Sequence, residues 1–75
     1  MPLVSAISPS GILQSTVRID DGVWTESGPE IRAAFAARGY TWEIEEFAES
    51  GEVDRNCTQL GEVLAWLCTL NPEED

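Results

Sequence analysis

Residues 40–54, YTWEIEEFAESGEVD, constrain the fold most tightly. Their apolar side chains need a core, whereas Glu43, Glu45, Glu46, Glu49, Glu52 and Asp54 need water, and no basic residue interrupts them. Two helix signals flank this stretch, one over 27–38 and one over about 56–70. The acidic segment must therefore feed the core that those helices build while turning its carboxylates outward. Within it, Tyr40, Trp42 and Ile44 alternate with Thr41, Glu43 and Glu45, the period-two pattern of a half-buried strand. A helix capped by Thr41, with Ile44, Phe47 and Ala48 as its buried stripe, fits the same residues. The aromatic and β-branched content, and Gly39 just before it, favour the strand. The glutamates are exposed in either case.

The flanking segments give a first architecture. Leu3 to Ile7 is a short apolar run closed by Ser8-Pro9-Ser10-Gly11, which suggests an edge strand or an ordered arm. Thr16, Val17 and Ile19 favour an extended strand over 12–19, and Asp20-Asp21-Gly22 reads as a tight reversal into a returning strand at Val23-Trp24-Thr25. Ser27-Gly28-Pro29-Glu30 has the form of a capping box, with Pro29 in a first turn whose amides have no helical partner. Ile31, Ala34 and Phe35 then form an apolar stripe; Arg38 suits the negative end of the helix dipole, and Gly39 ends the helix. In the second helix, Asn56 and Gln59 mark the start and Leu60, Val63, Leu64 and Leu67 the buried stripe. Gly61 suggests a close packing contact, and Asn71-Pro72 ends the helix before a frayed acidic tail at 72–75. The expected fold class is α+β: a small, mainly antiparallel sheet with two α-helices packed on one face. Its 75 residues make a single compact domain.

Charge and composition narrow the chemistry. Fourteen Asp and Glu oppose four Arg, with no Lys and no His, for a formal net charge of −10, yet 43% of the residues are hydrophobic, too many for a disordered acidic tail. Without His or Lys the commonest general base, Schiff-base chemistry and the commonest neutral metal ligand are missing. A catalytic carboxylate pair such as Glu43 and Glu45 needs a deep cleft to separate two pKa values, and a chain this short offers little depth. The expectation is no enzyme, no cofactor and no metal site; Asp20-Asp21-Gly22 lacks the spacing of a calcium loop. Cys57 and Cys68 lack C-x-x-C spacing and read as reduced, buried residues about 16 Å apart along one helix, with an intermolecular disulfide as the alternative. The aromatic residues read mainly as core, with Trp24 or Trp66 as a candidate interface anchor. Direct nucleic-acid binding conflicts with the acidity. The first residues have no basic region followed by a long apolar run, and no apolar stretch is long enough for a membrane span, so a cytoplasmic protein is expected.

The acidic surface itself has two readings. One is solvation, or adaptation to a salty cytoplasm. In the other the carboxylates stand in for phosphates: on a strand, Glu43 and Glu45 lie about 6.5 to 7 Å apart on one face, comparable with neighbouring phosphates along a nucleic-acid strand. A groove built of Lys and Arg for DNA or RNA then attracts the domain. In size, acidity, Lys-free composition and absence of catalytic groups, the whole chain resembles small phage-encoded inhibitors, anti-CRISPR proteins in particular. That resemblance implies a cytoplasmic inhibitor of host effectors, monomeric or weakly dimeric. It binds a basic nucleic-acid-binding protein or complex, such as a type I CRISPR effector, and blocks recognition without chemistry. Glu43, Glu45, Glu46, Glu49, Glu52 and Asp54 are the expected contact residues. A non-catalytic structural or interaction module of phage or bacterial origin, acidic only for solubility, is the alternative.

Overall fold

A computed structural model describes residues 1–46 and 51–70. Four strands and two helices follow the order β1 (Leu3–Ile7), β2 (Leu13–Ile19), α1 (Asp21–Ala37), β3 (Thr41–Glu45), β4 (Arg55–Cys57) and α2 (Leu60–Thr69). The sheet order is β3-β1-β2-β4, with β1 antiparallel to both of its neighbours and β4 parallel to β2. The architecture is thus the expected α+β class, with two helices and one small sheet that is mixed because β4 runs parallel to β2.

The hairpin of β1 and β2 forms because alternate residues of both strands are apolar: Val4, Ala6, Val17 and Ile19 all point into the core and are fully buried. Its turn uses Gly11 at φ 91°, a left-handed conformation open to glycine at little steric cost. The Ser8 hydroxyl accepts from Ile12 N–H at 3.2 Å and helps to hold the turn. The register slips between Ala6 and Ile7, so that Gln14 is an extra residue in β2. At this bulge Gln14 accepts a 2.7 Å hydrogen bond from the buried Tyr40 hydroxyl, which pins the entry to β3.

Asp20-Asp21-Gly22 is a helix start and not a strand reversal. The Asp20 carboxylate accepts from Gly22 N–H at 2.9 Å and caps α1, whose first turn therefore begins six residues before the Ser27 box. Trp24, Gly28, Ile31 and Phe35 lie on one continuous inward stripe that passes straight through the Gly28-Pro29 pair. Pro29 cannot donate to the Thr25 carbonyl, and Thr25 is exposed, so water can take that place. The expected strand at Val23-Trp24-Thr25 is accordingly part of this helix. At the other end the expectation holds: Gly39 adopts φ 75°, its N–H donates to Ala36 O at 3.0 Å, and Tyr40 N–H donates to Phe35 O at 3.0 Å. This is a Schellman ending that delivers Tyr40 beside Phe35 and starts β3 in the expected alternation.

The second helical signal divides into two elements. Arg55–Cys57 pair with Val17–Ile19 at the sheet edge, a three-residue strand with too little β-propensity to be recognised in isolation. Cys57 is therefore a buried strand residue, and Cys68 is an exposed helix residue, correcting the single-helix placement of both. Burial raises the Cys57 thiol pKa, the nearby Glu62 charge adds to this, and Arg55 opposes it. In α2 the buried residues are Val63, Trp66 and Leu67, followed by Leu70 just past its end, whereas Leu64 is 37% exposed. Gly61 has no neighbour where a Cβ would stand, so no close packing explains it. Gln59 makes no side-chain cap. Instead Glu62 reaches back to accept from both the backbone N–H and the hydroxyl of Thr58, at 3.0 and 2.8 Å. The helices meet at their carboxyl ends through Arg38, whose guanidinium donates to Leu70 O at 2.6 Å. The tail at 72–75 lies outside the described residues.

Two leucines three positions apart give a direct check of α2. Leu67→Ala removes a buried side chain and is expected to cost about 2–5 kcal/mol in denaturant unfolding. Leu64→Ala is expected to cost about 1 kcal/mol or less; a larger loss for Leu64 would mean the helix is rotated. The Thr58 bonds hold the Glu62 carboxyl below its ordinary pKa. Their contribution is complete above the ordinary carboxylate range and is lost as pH falls through the lowered folded-state value. The stability of the natural protein relative to Glu62→Gln should therefore rise from pH 3 to pH 6, as followed by urea melts; a constant difference would exclude this role.

Candidate acidic interface

The two faces of the sheet differ because its strands alternate. The inner face carries the core under α1 and α2. There Phe35 packs against Trp42 at 5.7 Å and edge-on against Trp66 at 5.8 Å between ring centroids. On the outer face the register sets up cross-strand rows: Glu45, Leu3 and Arg18 in one, Glu43, Ser5 and Thr16 in the next, Thr41 and Ile7 beyond them. Glu43 and Glu45 are exposed, and between them and β2 lies an open groove of about 490 Å³ lined by Leu3, Ser5, Thr16, Glu43, Ile44 and Glu45. The Ser5 and Thr16 hydroxyls share a 2.8 Å hydrogen bond on its floor.

Glu46 follows in an exposed turn, and Glu49 lies outside the described residues. Where the chain is described again, the Gly51 carbonyl accepts from the Arg18 guanidinium at 3.3 Å, and Gly51 stands close over Leu3. The approach of this segment leaves Leu3 only 9% exposed although it points away from the helices. Glu52 and Asp54 then border a second open groove of about 530 Å³ with Leu13, Gln14, Ser15, Thr16 and Val53. The sequence candidates are thus divided into two sets: Glu43 and Glu45 on β3, and Glu52 and Asp54 on the approach to β4, with Thr16 bordering both grooves.

Asp54 has an internal role as well. The Trp66 indole N–H donates to the Ser15 hydroxyl at 2.9 Å, and Ser15 donates in turn to the Asp54 carboxylate at 2.5 Å. This relay joins α2, β2 and the start of β4. Asp54 N–H also donates to Thr16 O at 2.8 Å. By contrast, among the described residues the one ion pair joins the Met1 amino group to Asp21 at 3.6 Å, so Glu43, Glu45, Glu46 and Glu52 face water without a paired cation. Trp66 is 1% exposed and cannot serve as an interface anchor; Trp24 is half-buried, with the Arg32 guanidinium 5.6 Å from its ring centroid. Ser5, Thr16 and the exposed Ile12 and Leu13 of the hairpin tip were not among the sequence candidates. The signal for Ser5 and Thr16 was their position out of phase with Val4, Ala6 and Val17.

Among the described residues, no group of His, Cys, Asp or Glu side chains is arranged to hold a metal ion, and no helix is long and apolar enough to cross a membrane. Comparisons with protein-family models, characterised proteins and solved structures find no match to this chain.

The Trp66–Ser15–Asp54 relay has a measurable consequence. Ser15→Ala leaves the buried indole N–H without its acceptor and should cost about 1–3 kcal/mol in equilibrium unfolding. Asp54→Asn, which retains an acceptor oxygen, should cost less. Equal stability of Ser15→Ala and the natural protein would show that the indole bond contributes nothing.

Proposed function

We propose that this protein is a non-catalytic acidic inhibitor that occupies the basic nucleic-acid-binding surface of a protein complex, in its most concrete form an anti-CRISPR protein acting on a type I effector. The observation that carries this reading is the fixed pair Glu43 and Glu45, without a paired cation among the described residues and held on one face of a strand whose register is set by β1. Their separation of about 6.6 Å suits Lys and Arg side chains that otherwise contact successive phosphates. A carboxylate on a paired strand loses less freedom on binding than one on a flexible tail, so more of the charge attraction remains as affinity. The net charge of −10 adds long-range steering toward a basic target. Anti-CRISPR identity rests on the compositional resemblance alone.

The test compares two isosteric double variants with equal loss of charge. Glu43→Gln/Glu45→Gln changes the sheet face, and Glu26→Gln/Glu30→Gln changes exposed positions on α1. Both should fold. In competition against nucleic acid for a purified type I effector, the β3 variant is expected to bind at least tenfold more weakly and with a shallower salt dependence, and the α1 variant to stay close to the natural protein. Equal weakening would assign the effect to net charge, and tight binding by both would remove the acidic face from the interface.

A further inference from the structure

The outer edge of β3 offers backbone groups as well as charge. Ile19 N–H donates to the Pro2 carbonyl at 3.0 Å, and bonded pairs recur at every second residue of an antiparallel ladder. Val4 and Ala6 therefore direct their backbone groups toward β2, and Leu3, Ser5 and Ile7 direct theirs toward β3. Their partners Glu45, Glu43 and Thr41 point inward in return, which turns the N–H and C=O groups of Trp42 and Ile44 away from the sheet. Among the described residues, no strand lies beyond β3. The side chains of Trp42 and Ile44, half-buried against the core, continue the inner apolar layer to this edge, while Glu43 and Glu45 stand on the opposite face.

We propose that this edge accepts an extended, basic segment of the partner protein as an added antiparallel strand. The inference rests on the acidic-face reading above and names how the partner is held. The segment has apolar residues opposite Trp42 and Ile44, bonded to their backbone groups and packed along the inner layer. Its alternate residues are Lys or Arg and lie beside Glu43 and Glu45. Charge selects this occupant over a second copy of the chain, since antiparallel pairing of two β3 edges brings Glu43 and Glu45 against the same carboxylates of the copy, and like charges across strands are destabilising. Charged residues ordinarily protect an exposed edge from indiscriminate pairing. Here they discriminate, excluding neutral and acidic strands and admitting a basic one, with backbone bonds supplying affinity and alternate side chains specificity.

The probe is the peptide acetyl-Lys-Val-Lys-Val-Lys-Val-Lys-amide in three forms: unmodified, with backbone N-methyl groups on its valines, or with the same number on its lysines. All three carry the same charge. In the proposed pairing the valine N–H groups face β3 and the lysine N–H groups face water. The unmodified and lysine-methylated peptides should bind the intact protein at low salt and slow hydrogen exchange of the Trp42 and Ile44 amides. The valine-methylated peptide should bind about tenfold or more weakly, the loss expected from a few backbone hydrogen bonds. Equal binding by both methylated peptides, or the reverse order, overturns the edge proposal and leaves the acidic-face reading standing, because charge alone then holds the peptide. Failure of the unmodified peptide to bind also overturns it, while the competition between the two glutamine double variants decides the acidic-face reading independently.

Discussion

The tertiary structure depends on the burial of Trp66 with its indole N–H satisfied. A buried tryptophan contributes a large apolar area only if its one donor finds an acceptor. Ser15 provides it from the middle of β2, so the orientation of α2 is fixed relative to the sheet by a bond and not by apolar contact alone. The ring then packs edge-on against Phe35 of α1. One side chain thereby joins both helices and the central hairpin, in a domain whose small core leaves few other large residues to do so.

The same relay reaches the acidic segment. Ser15 passes its own proton donor to Asp54, whose backbone meets Thr16, and β4 follows immediately along β2. Each end of the acidic stretch is thus held by the sheet, Thr41–Glu45 by β1 and the residues from Asp54 onward by β2. Attachment at both ends keeps Glu43, Glu45 and Asp54 on a structured surface. A domain with net charge −10 must bear that self-repulsion when it is compact, and the strand pairings fix where the charges stand.

Several elements were legible in the sequence because their signals are local. The alternation of Thr41 to Glu45, the left-handed glycine after Arg38, and the outward placement of Glu43 and Glu45 all follow from patterns within a few residues, whereas the apolar run Leu3 to Ile7 suggests an edge strand or an arm and is instead an inner strand with a neighbour on each side. The start of α1 was misplaced because Asp-Asp-Gly serves equally as a turn and as a helix cap, and because Gly28-Pro29 imitates a beginning inside a helix. The choice between these is made by Trp24, which packs against the core and draws residues 21–27 into the helix. The core face of α2 was also ambiguous: Leu60, Val63, Leu64 and Leu67 satisfy the helical spacing as well as Val63, Trp66, Leu67 and Leu70 do. Ser15 on β2 selects the second set by accepting from Trp66.

What the sequence determined by itself was therefore the fold class and the acidity, and it favoured over a helix the strand on one face of which two carboxylates stand, since period-two alternation and net charge belong to the chain before it folds. Only the tertiary structure decided that Arg55–Cys57 is a strand, that Cys57 is buried while Cys68 is exposed, that the acidic residues fall into two groups, and that among the described residues no strand lies beyond Trp42 and Ile44. Each of these depends on which strand lies beside which. That choice is made by contacts between residues far apart in sequence, such as Ser15 with Asp54 and Trp66, and no local propensity encodes it.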